Sequence, residues 1–195
     1  MINEVEAFFP KASDMTAHLN SLMPSPWVSR FAPLIPAGGK VLDLACGGGR
    51  HTRLLAGLGY EVEAVDRDTS TLGDLAATGG VQVREVDLEG GVWPYGEHMF
   101  SGIVVTNYLF RPRLSALLAA LADPGMLIYE TFMIGNERYG KPSNPEFLLR
   151  SQELLDWAKA AGLSVVAFEE GSVDLPKPAM VQRLCAVRGK LVARI

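Results

Sequence analysis

The stretch VLDLACGGGRHT, residues 41–52, decides the fold of this chain. Its apolar run ends between Asp43 and Ala45 and leads into three consecutive glycines, residues 47–49, and then into a helical pattern. Glycines at such a junction let the backbone bend tightly and approach a ligand that side chains would keep away. We therefore predict a buried strand followed by a loop that binds a nucleotide-type ligand, in preference to a tight turn without a ligand.

The spacing of these glycines argues against a dinucleotide as the ligand. The dinucleotide fingerprint is G-x-G-x-x-G. Counting from Gly47 places its third glycine at Thr52, and counting from Ala45 places it at Arg50. The loop therefore favours a nucleotide-type ligand other than NAD.

Outward from this loop, short apolar runs rich in β-forming residues alternate with helical patterns. Strands that alternate with helices of this length are typical of crossover units in a parallel sheet. The predicted helices include residues 69–80, 113–125 and 151–162. The last two apolar runs, 163–170 and 182–189, have no helix between them and predict an antiparallel pair. We expect two parts in the chain, an N-terminal helical extension at 1–36 and the main domain at 37–195.

Composition narrows the class of protein. A chain of 195 residues fits one domain. Its net charge of −4 provides no basic field for nucleic acid, which makes nucleic acid an improbable partner. We predict no membrane span, because no run reaches about 18 apolar residues. The two cysteines form no CxxC pair, which favours the cytoplasm, and no residue cluster has metal-ligand spacing.

The order D-x-A-x-G-x-G, formed by Asp43, Ala45, Gly47 and Gly49, resembles the first motif of class I S-adenosylmethionine-dependent methyltransferases. Ala45 stands where that motif has its first glycine. The resemblance implies a Rossmann-like α/β fold, with a seven-stranded, mostly parallel sheet, an antiparallel last strand and three αβα layers. A later segment is similar to a group of small bacterial methyltransferases that resemble the tellurite-resistance methyltransferase. The matching residues there are Tyr129, Glu130, Thr131, Phe132, Gly135, Asn136, Gly140, Pro142, Asn144, Pro145, Phe147 and Leu148.

The resemblance also implies S-adenosylmethionine as the cofactor and indicates the residues that bind it. Asp66, at the end of the second strand, corresponds to the acid that binds both ribose hydroxyls, and a carboxylate suits two such donors. Asp87 ends the third strand, with Leu88 after it, where the family binds the adenine amino group. The complete predicted set is Asp43, Ala45, Cys46, Gly47, Gly49, His51, Asp66, Arg67, Asp87, Leu88 and Asn107.

The reacting face is predicted at the end of the fourth strand, because ligands gather outside the carboxyl ends of parallel strands. Asn107 lies there, and the long segment 132–149 is expected to act as a lid over the site. Methyl transfer needs alignment of the reactants, and a general base only if the nucleophile carries a proton. The predicted catalytic residues are Tyr108, Tyr139 and Glu130.

We therefore predict a cytoplasmic methyltransferase that acts on a small molecule by in-line transfer and releases S-adenosylhomocysteine. Two alternatives remain open, a non-catalytic S-adenosylmethionine-binding protein and a dinucleotide-dependent oxidoreductase. Methylation of nucleic acid is a lesser variant within the enzyme class. The identity of the acceptor and the oligomeric state are left open. Trp27 and Phe31 are expected to pack the N-terminal helix on the core, the alternative being that they cap the cofactor.

Overall fold

A computed structural model describes residues 23–175 and 177–190 of the chain. The strands are β1 (Lys40–Leu44), β2 (Glu61–Asp66), β3 (Val81–Glu85), β4 (Phe100–Thr106), β5 (Leu121–Phe132), β6 (Ser164–Val173) and β7 (Ala179–Arg188). The α-helices are α1 (Pro26–Phe31), α2 (Arg50–Gly57), α3 (Gly73–Ala76), α4 (Leu114–Ala119) and α5 (Glu153–Ala160).

The seven strands form one sheet in the order β3-β2-β1-β4-β5-β7-β6. The pairs from β3 to β5 are parallel, and β7 runs antiparallel to both of its neighbours. The predicted fold class, with its reversed last strand, is confirmed, and so is the terminal antiparallel pair.

Both faces of the sheet are buried, which explains why its central strands are nearly continuous apolar runs. Successive residues of a strand point to opposite faces. Val41 and Val104 pack against α1 and α2 on one face. Leu42 and Ile103 pack against α4 and α5 on the other face. The result is the predicted three-layer arrangement.

The segment before β1 is part of this packing. Trp27 and Phe31 of α1 are buried, their rings 4.6 Å apart in an edge-to-face contact. The indole Nε1 of Trp27 donates to the carbonyl oxygen of Leu184 at 3.3 Å. Both aromatic residues therefore belong to the core, as expected, and do not cap a ligand. Residues 1–22 of the predicted extension lie outside the described residues, and the division at residue 36 remains a prediction.

Two helices are shorter than predicted. The helix predicted over 69–80 is one turn, α3, in a segment that carries glycines at residues 73, 79 and 80. The prediction that the helix from residue 113 continues to Gly125 was wrong, since α4 ends at Ala119. Leu121 already pairs with Phe100 in the sheet, and the register then shifts before Gly102 pairs with Met126.

No helix within the described ranges combines the length and the apolar character needed to cross a membrane.

Candidate active site

A cleft of about 700 Å³ opens at the carboxyl ends of β1 to β4. Ligands of open parallel sheets bind at this edge. The glycine loop after β1 forms one side, and the residues after β2 and β3 form another. The lining residues are Ala45, Cys46, Gly47, Gly48, Arg50, Asp66, Arg67, Val86, Asp87, Leu88, Glu89, Thr106, Asn107, Tyr108 and Phe147.

The backbone of the glycine loop faces the cleft without side chains in front of it. Ala45 and Gly47 adopt left-handed conformations, with φ of 54° and 52°. A Cβ added to Gly47 or Gly48 would meet no protein atom within 4 Å. Such a group would project into the cleft and occupy the space of a ligand. The loop therefore fits a ligand that contacts the backbone directly.

Gly49, which is also predicted to bind the cofactor, is placed differently from Gly47 and Gly48. It does not line the cleft, and its φ is 74°. A Cβ at this position would collide with the side chain of Leu75 in α3. Gly49 is therefore required for the left-handed turn into α2 and for the packing of α3, and the structure does not bring it to the ligand side of the loop.

Asp43 and His51 support the loop from inside the protein and do not line the cleft. Asp43 is buried and accepts a hydrogen bond from Thr52 Oγ1 at 2.6 Å, and burial raises its pKa to about 6. His51 Nε2 accepts from the backbone N–H of Ser25 at 3.0 Å. Its Nδ1 lies 3.3 Å from Thr106 Oγ1, and burial lowers the pKa of this histidine to about 3.

Asp66 and Asp87 do line the cleft, together with the predicted Arg67 and Leu88. Asp66 Oδ2 accepts from the backbone N–H of Gly47 at 2.8 Å, which ties the end of β2 to the glycine loop. Asp87 Oδ1 accepts two backbone N–H groups of its own turn, each at 3.0 Å. These two bonds lower the pKa of Asp87, which keeps it ionised.

A second cavity of about 240 Å³ adjoins the cleft and shares Arg50 and Asn107 with it. We call it the acceptor-side cavity. Asn107 has a φ of 55°, a conformation that asparagine tolerates better than most residues, and its N–H donates to the carbonyl oxygen of Glu130 at 2.9 Å. The other lining residues are Met23, Pro24, Ser25, Pro26, Glu130, Phe132, Val173, Leu175, Lys177, Ala179, Val181 and Arg183.

The three predicted catalytic residues lie in three different places. Tyr108 lines the cleft, but its hydroxyl is buried without a hydrogen-bond partner among the described residues. Burial, with the nearby carboxylates of Glu89 and Asp87, raises the pKa of Tyr108. Glu130 lines the acceptor-side cavity, whereas Tyr139 lines neither space and is 47% exposed. The structure therefore does not bring Tyr139 to the predicted site.

Glu130 is held by two hydrogen bonds to the same carboxylate oxygen. Its Oε2 accepts from Ser25 Oγ at 3.1 Å and from Arg183 Nε at 2.6 Å. Its Oε1 has no hydrogen-bond partner in the part of the chain that the structure describes, and it is not among the fully enclosed unpaired atoms. One oxygen of this carboxylate is therefore anchored, and the other can meet a ligand.

Several lining residues were not predicted, above all Arg50, Gly48, Glu89 and Phe147. Phe147 comes from the long segment after β5, which Arg111 holds in place. The guanidinium of Arg111 donates to the carbonyl oxygens of Glu146 at 2.7 Å and of Leu148 at 2.8 Å. It also forms a two-pronged ion pair with Glu153, at 2.7 and 2.9 Å. Only the tertiary structure reveals this connection.

Both cysteines are free and buried. Cys46 lines the cleft, as predicted, and burial raises the pKa of its thiol. Burial also raises the pKa of Cys185, to about 12. Within the described ranges, no three His, Cys, Asp or Glu side chains are grouped closely enough to hold a metal ion.

Solved structures with this fold include several methyltransferases. TehB from Haemophilus influenzae superposes with a TM-score of 0.64 at 19% identity, over 82% of this chain and 61% of that one. This chain thus spans about three-fifths of the length of that TehB structure. The Burkholderia thailandensis 1,6-didemethyltoxoflavin-N1-methyltransferase superposes with a TM-score of 0.62 at 18% identity, over 95% of this chain and 94% of that one. An S-adenosylmethionine-dependent methyltransferase from Mesorhizobium loti superposes with a TM-score of 0.64 at 15% identity, over 91% of this chain and 100% of that one. The chain therefore has the class I S-adenosylmethionine-dependent methyltransferase fold.

A sequence comparison adds a more particular resemblance within that class. The family model described as "Tellurite resistance protein TehB" matches residues 2–89, which include the glycine loop, Asp66 and Asp87. The predicted resemblance to the tellurite-resistance group is confirmed, although this match covers residues 2–89 and not the segment 129–148 on which the prediction rested. No curated protein matches the sequence. Both kinds of comparison thus agree with a methyltransferase fold.

Proposed function

We propose that this chain is an S-adenosylmethionine-dependent methyltransferase that transfers the methyl group in line to a small-molecule acceptor and releases S-adenosylhomocysteine. The observation that carries the proposal is the pair of adjoining spaces at the carboxyl edge of the sheet. The larger one has the glycine loop and three acids on its walls, and the smaller one meets it at Arg50 and Asn107. One space suits the cofactor, and the other suits an acceptor.

The residues of the cleft fit the parts of S-adenosylmethionine. The exposed backbone at Gly47 and Gly48 leaves room for a ligand to lie against it. Asp66 would accept the ribose hydroxyls, since each of its oxygens keeps acceptor capacity beyond its present bond to Gly47 or Asp68. Asp87 and Leu88 would border the adenine, and Arg67 would flank it. The roles of these residues are predictions that binding measurements test.

When bound, S-adenosylmethionine supplies a methyl group on a positively charged sulfur. The protein then has to hold the acceptor in line with that group, and orientation alone can supply about 7–11 kcal/mol of the barrier. Arg50 and Asn107, which border both spaces, are placed to do this. The donor end would thus lie at the junction of the two spaces.

If the acceptor must lose a proton, Glu130 is the predicted residue best placed to receive it. A general base must lie within hydrogen-bond reach of the proton it removes. Glu130 lines the acceptor-side cavity, and its Oε1 has no hydrogen-bond partner among the described residues, whereas the hydroxyl of Tyr108 is enclosed and has a raised pKa. Tyr139 lies outside both spaces. We therefore assign the proton-accepting role, where one is needed, to Glu130.

A small acceptor is supported by the size of the second cavity, whose volume of about 240 Å³ lies below the roughly 300–1,000 Å³ typical of pockets for drug-sized ligands. The toxoflavin-related methyltransferase structure contains a small-molecule substrate and S-adenosylhomocysteine, which agrees with this assignment. The negative net charge also favours a small acceptor over nucleic acid. Location in the cytoplasm remains a prediction.

The first test is calorimetric titration of the protein with S-adenosylmethionine, S-adenosylhomocysteine and NAD. We expect both sulfur compounds to bind and NAD not to bind. Asp66→Asn should lower the affinity for both sulfur compounds at least tenfold, because the variant loses the charged acceptor for the two ribose hydroxyls. Arg30→Gln, an exposed change on α1, is the control. Binding of NAD alone, or of none of the three, would contradict the proposal.

The second test separates an enzyme from a non-catalytic binder. The protein is incubated with methyl-labelled S-adenosylmethionine and with either the dialysable or the macromolecular fraction of a cell extract. We expect label in the dialysable fraction, and Asn107→Ala should reduce it. Label only in macromolecules would contradict the small-molecule assignment, and no transfer beside intact cofactor binding would favour the non-catalytic alternative.

A further inference from the structure

We propose that the acceptor-side cavity binds a small organic anion with an apolar body, and that Arg50 binds its charged group. This inference rests on the proposed function and specifies its acceptor. It concerns the residues that would recognise the acceptor before any transfer takes place.

The charges on the cavity wall favour an anion. Three cationic residues line it, Arg50, Arg183 and Lys177, against one carboxylate among the described residues, that of Glu130. The positive charge of Arg183 is already balanced, because its guanidinium lies 2.6 Å from the carboxylate of Glu130 and 3.4 Å from that of Glu169. The same ion pair neutralises Glu130. The remaining charge of the wall is therefore positive.

Arg50, like the more exposed Lys177, has no carboxylate in ion-pair contact within the described ranges. Its Nη1 donates to the backbone carbonyl of Met23 at 3.4 Å, a weak contact that leaves most of the guanidinium donors unused. Burial lowers the pKa of Arg50, so the charge is partly removed from water. A half-buried guanidinium with free donors suits a planar anion such as a carboxylate.

The rest of the cavity suits an apolar body attached to that charge. Phe132 and Val181 of the sheet line it, and so do Pro24 and Pro26 of the N-terminal segment. Leu175 is 74% exposed where it lines the cavity, and it adds further apolar surface. A ligand with its charge at Arg50 would lie at the junction with the cleft and extend its apolar part along these residues.

An amine acceptor would require the opposite arrangement. A cationic group would meet Glu130, whose charge Arg183 already balances, and would face Arg50 and Lys177. The positive charges of Arg50 and Lys177 would repel a cationic ligand in this cavity and weaken its binding. The lining therefore discriminates against cations as well as favouring anions.

The test uses the complex of the protein with S-adenosylhomocysteine. Phenylacetate, benzoate and 4-methylpentanoate are titrated into it by calorimetry, each beside its neutral primary amide. We expect at least one carboxylate to bind about tenfold more tightly than its amide, or better, as hydrogen bonds to a charged group would give. Arg50→Gln should abolish this preference, and Arg30→Gln, an equal change of charge outside the cavity, should retain it.

The same variants show which anion Arg50 binds, because the cofactor also carries a carboxylate. S-adenosylhomocysteine and 5′-methylthioadenosine, which lacks the amino-acid part, are titrated into the wild type and Arg50→Gln. Arg50 belongs to the acceptor if the variant keeps its affinity for both within about threefold. A loss confined to S-adenosylhomocysteine assigns Arg50 to the cofactor and overturns the inference.

The remaining outcomes are equally decisive. Equal affinity for carboxylates and amides, no measurable binding of either, or a preference that survives in Arg50→Gln would overturn the anion proposal. None of these results affects the proposed function, which the cofactor titration and the labelling experiment test separately.

Discussion

Gly48 and Gly49 are adjacent in the chain, but the structure gives them separate tasks. Gly48→Ala should leave the free energy of unfolding within about 0.5 kcal/mol of the wild type, as for substitutions away from packing contacts. Its backbone is not left-handed, and the new methyl group would touch no protein atom. The methyl group would project into the cleft, so the affinity for S-adenosylhomocysteine should fall tenfold or more. Urea unfolding and calorimetry measure the two effects.

Gly49→Ala should show the opposite pattern. A left-handed φ of 74° and the collision with Leu75 should cost about 1–3 kcal/mol of stability, whether or not ligand is present. Equal loss of stability in the two variants would show that the loop does not divide its functions in this way.

Asp43 should make the protein less stable as the pH rises from about 4 to 6. Its folded pKa of about 6 lies above the usual 3.8, so the folded state keeps a proton that the unfolded state has lost. Asp43→Asn removes this difference. The variant should gain up to about 3 kcal/mol relative to the wild type between pH 4 and 7. Parallel urea titrations at these pH values measure the gain, and parallel stability curves would contradict the assigned pKa.

At the level of residues, the sequence identified the side chains that line the cleft better than those that only support it. Asp66 and Asp87 follow strand ends, and strand ends meet at one edge of a parallel sheet. Arg50 and His51 follow one loop, yet successive helical residues point about 100° apart. Arg50 therefore reaches the cleft, whereas His51 turns towards Ser25 and the core. The motif alone does not determine that rotation.

Among the elements, the segment from residue 133 to residue 149 is held in part by one side chain, that of Arg111. Arg111→Gln removes the ion pair with Glu153 and weakens two bonds to the carbonyl oxygens of Glu146 and Leu148. We expect a loss of about 1–3 kcal/mol, between the values for exposed and buried pairs. Hydrogen exchange should also increase in residues 133–149, because these contacts fix their backbone.

Arg150→Gln is the matched control for this experiment. Arg150 also contacts Glu153, at 3.3 Å, but its side chain is 73% exposed, and no bond from it to the carbonyl groups of Glu146 or Leu148 is present. Its effect on exchange in the segment should be small. If both variants increase exchange equally, the charge balance around Glu153, and not the bonds to the carbonyl oxygens, holds the segment.

The buried central strands agree with the sequence prediction better than the helix at 113–125 does, because strand pairing changed the course of that helix. The runs that became β1, β2 and β4 are buried along most of their length. Their apolar residues therefore indicate buried strands whichever strands lie beside them. The predicted helix at 113–125 ended early because Leu121 pairs with Phe100 in the sheet. Pairing between distant strands overrides local propensity, and a single sequence does not contain that information.

Across the whole molecule, His51 joins the N-terminal segment to the sheet, and it should make the free energy of unfolding decrease as the pH falls. Its folded pKa of about 3 lies below the usual 6.5, so the unfolded state takes up a proton first as the pH falls. Each pH unit lost between about 6 and 3 should cost up to about 1.4 kcal/mol through this group. His51→Gln retains a neutral acceptor for the Ser25 N–H and should remove that part of the slope.

The check is the difference between the unfolding curves of the wild type and His51→Gln from pH 7 to pH 4. The difference should shift in favour of the variant as the pH falls. Because Asp43 acts in the opposite direction in the same range, the wild type itself should show a shallower dependence than either variant. A constant difference would mean that His51 is not held neutral.

The architecture of the whole chain was predictable mainly by resemblance, whereas the acceptor-side cavity was not predictable at all. Its walls come from the segment at 23–26 and from β5, β6 and β7. These parts of the chain meet only after the sheet has formed. Arg50 gives one sequence signal, its position after the glycines, but nothing in the sequence pairs it with Phe132 or Val181.

The burial of both cysteines has a practical consequence for fluorescence work. Maleimide and iodoacetamide reagents react with thiolates, and the raised pKa values of Cys46 and Cys185 leave almost none at neutral pH. A cysteine introduced at the exposed position of Tyr139 would then be the single reactive thiol of the chain. A dye at that point would report on the long loop beside the cleft without removal of either native cysteine.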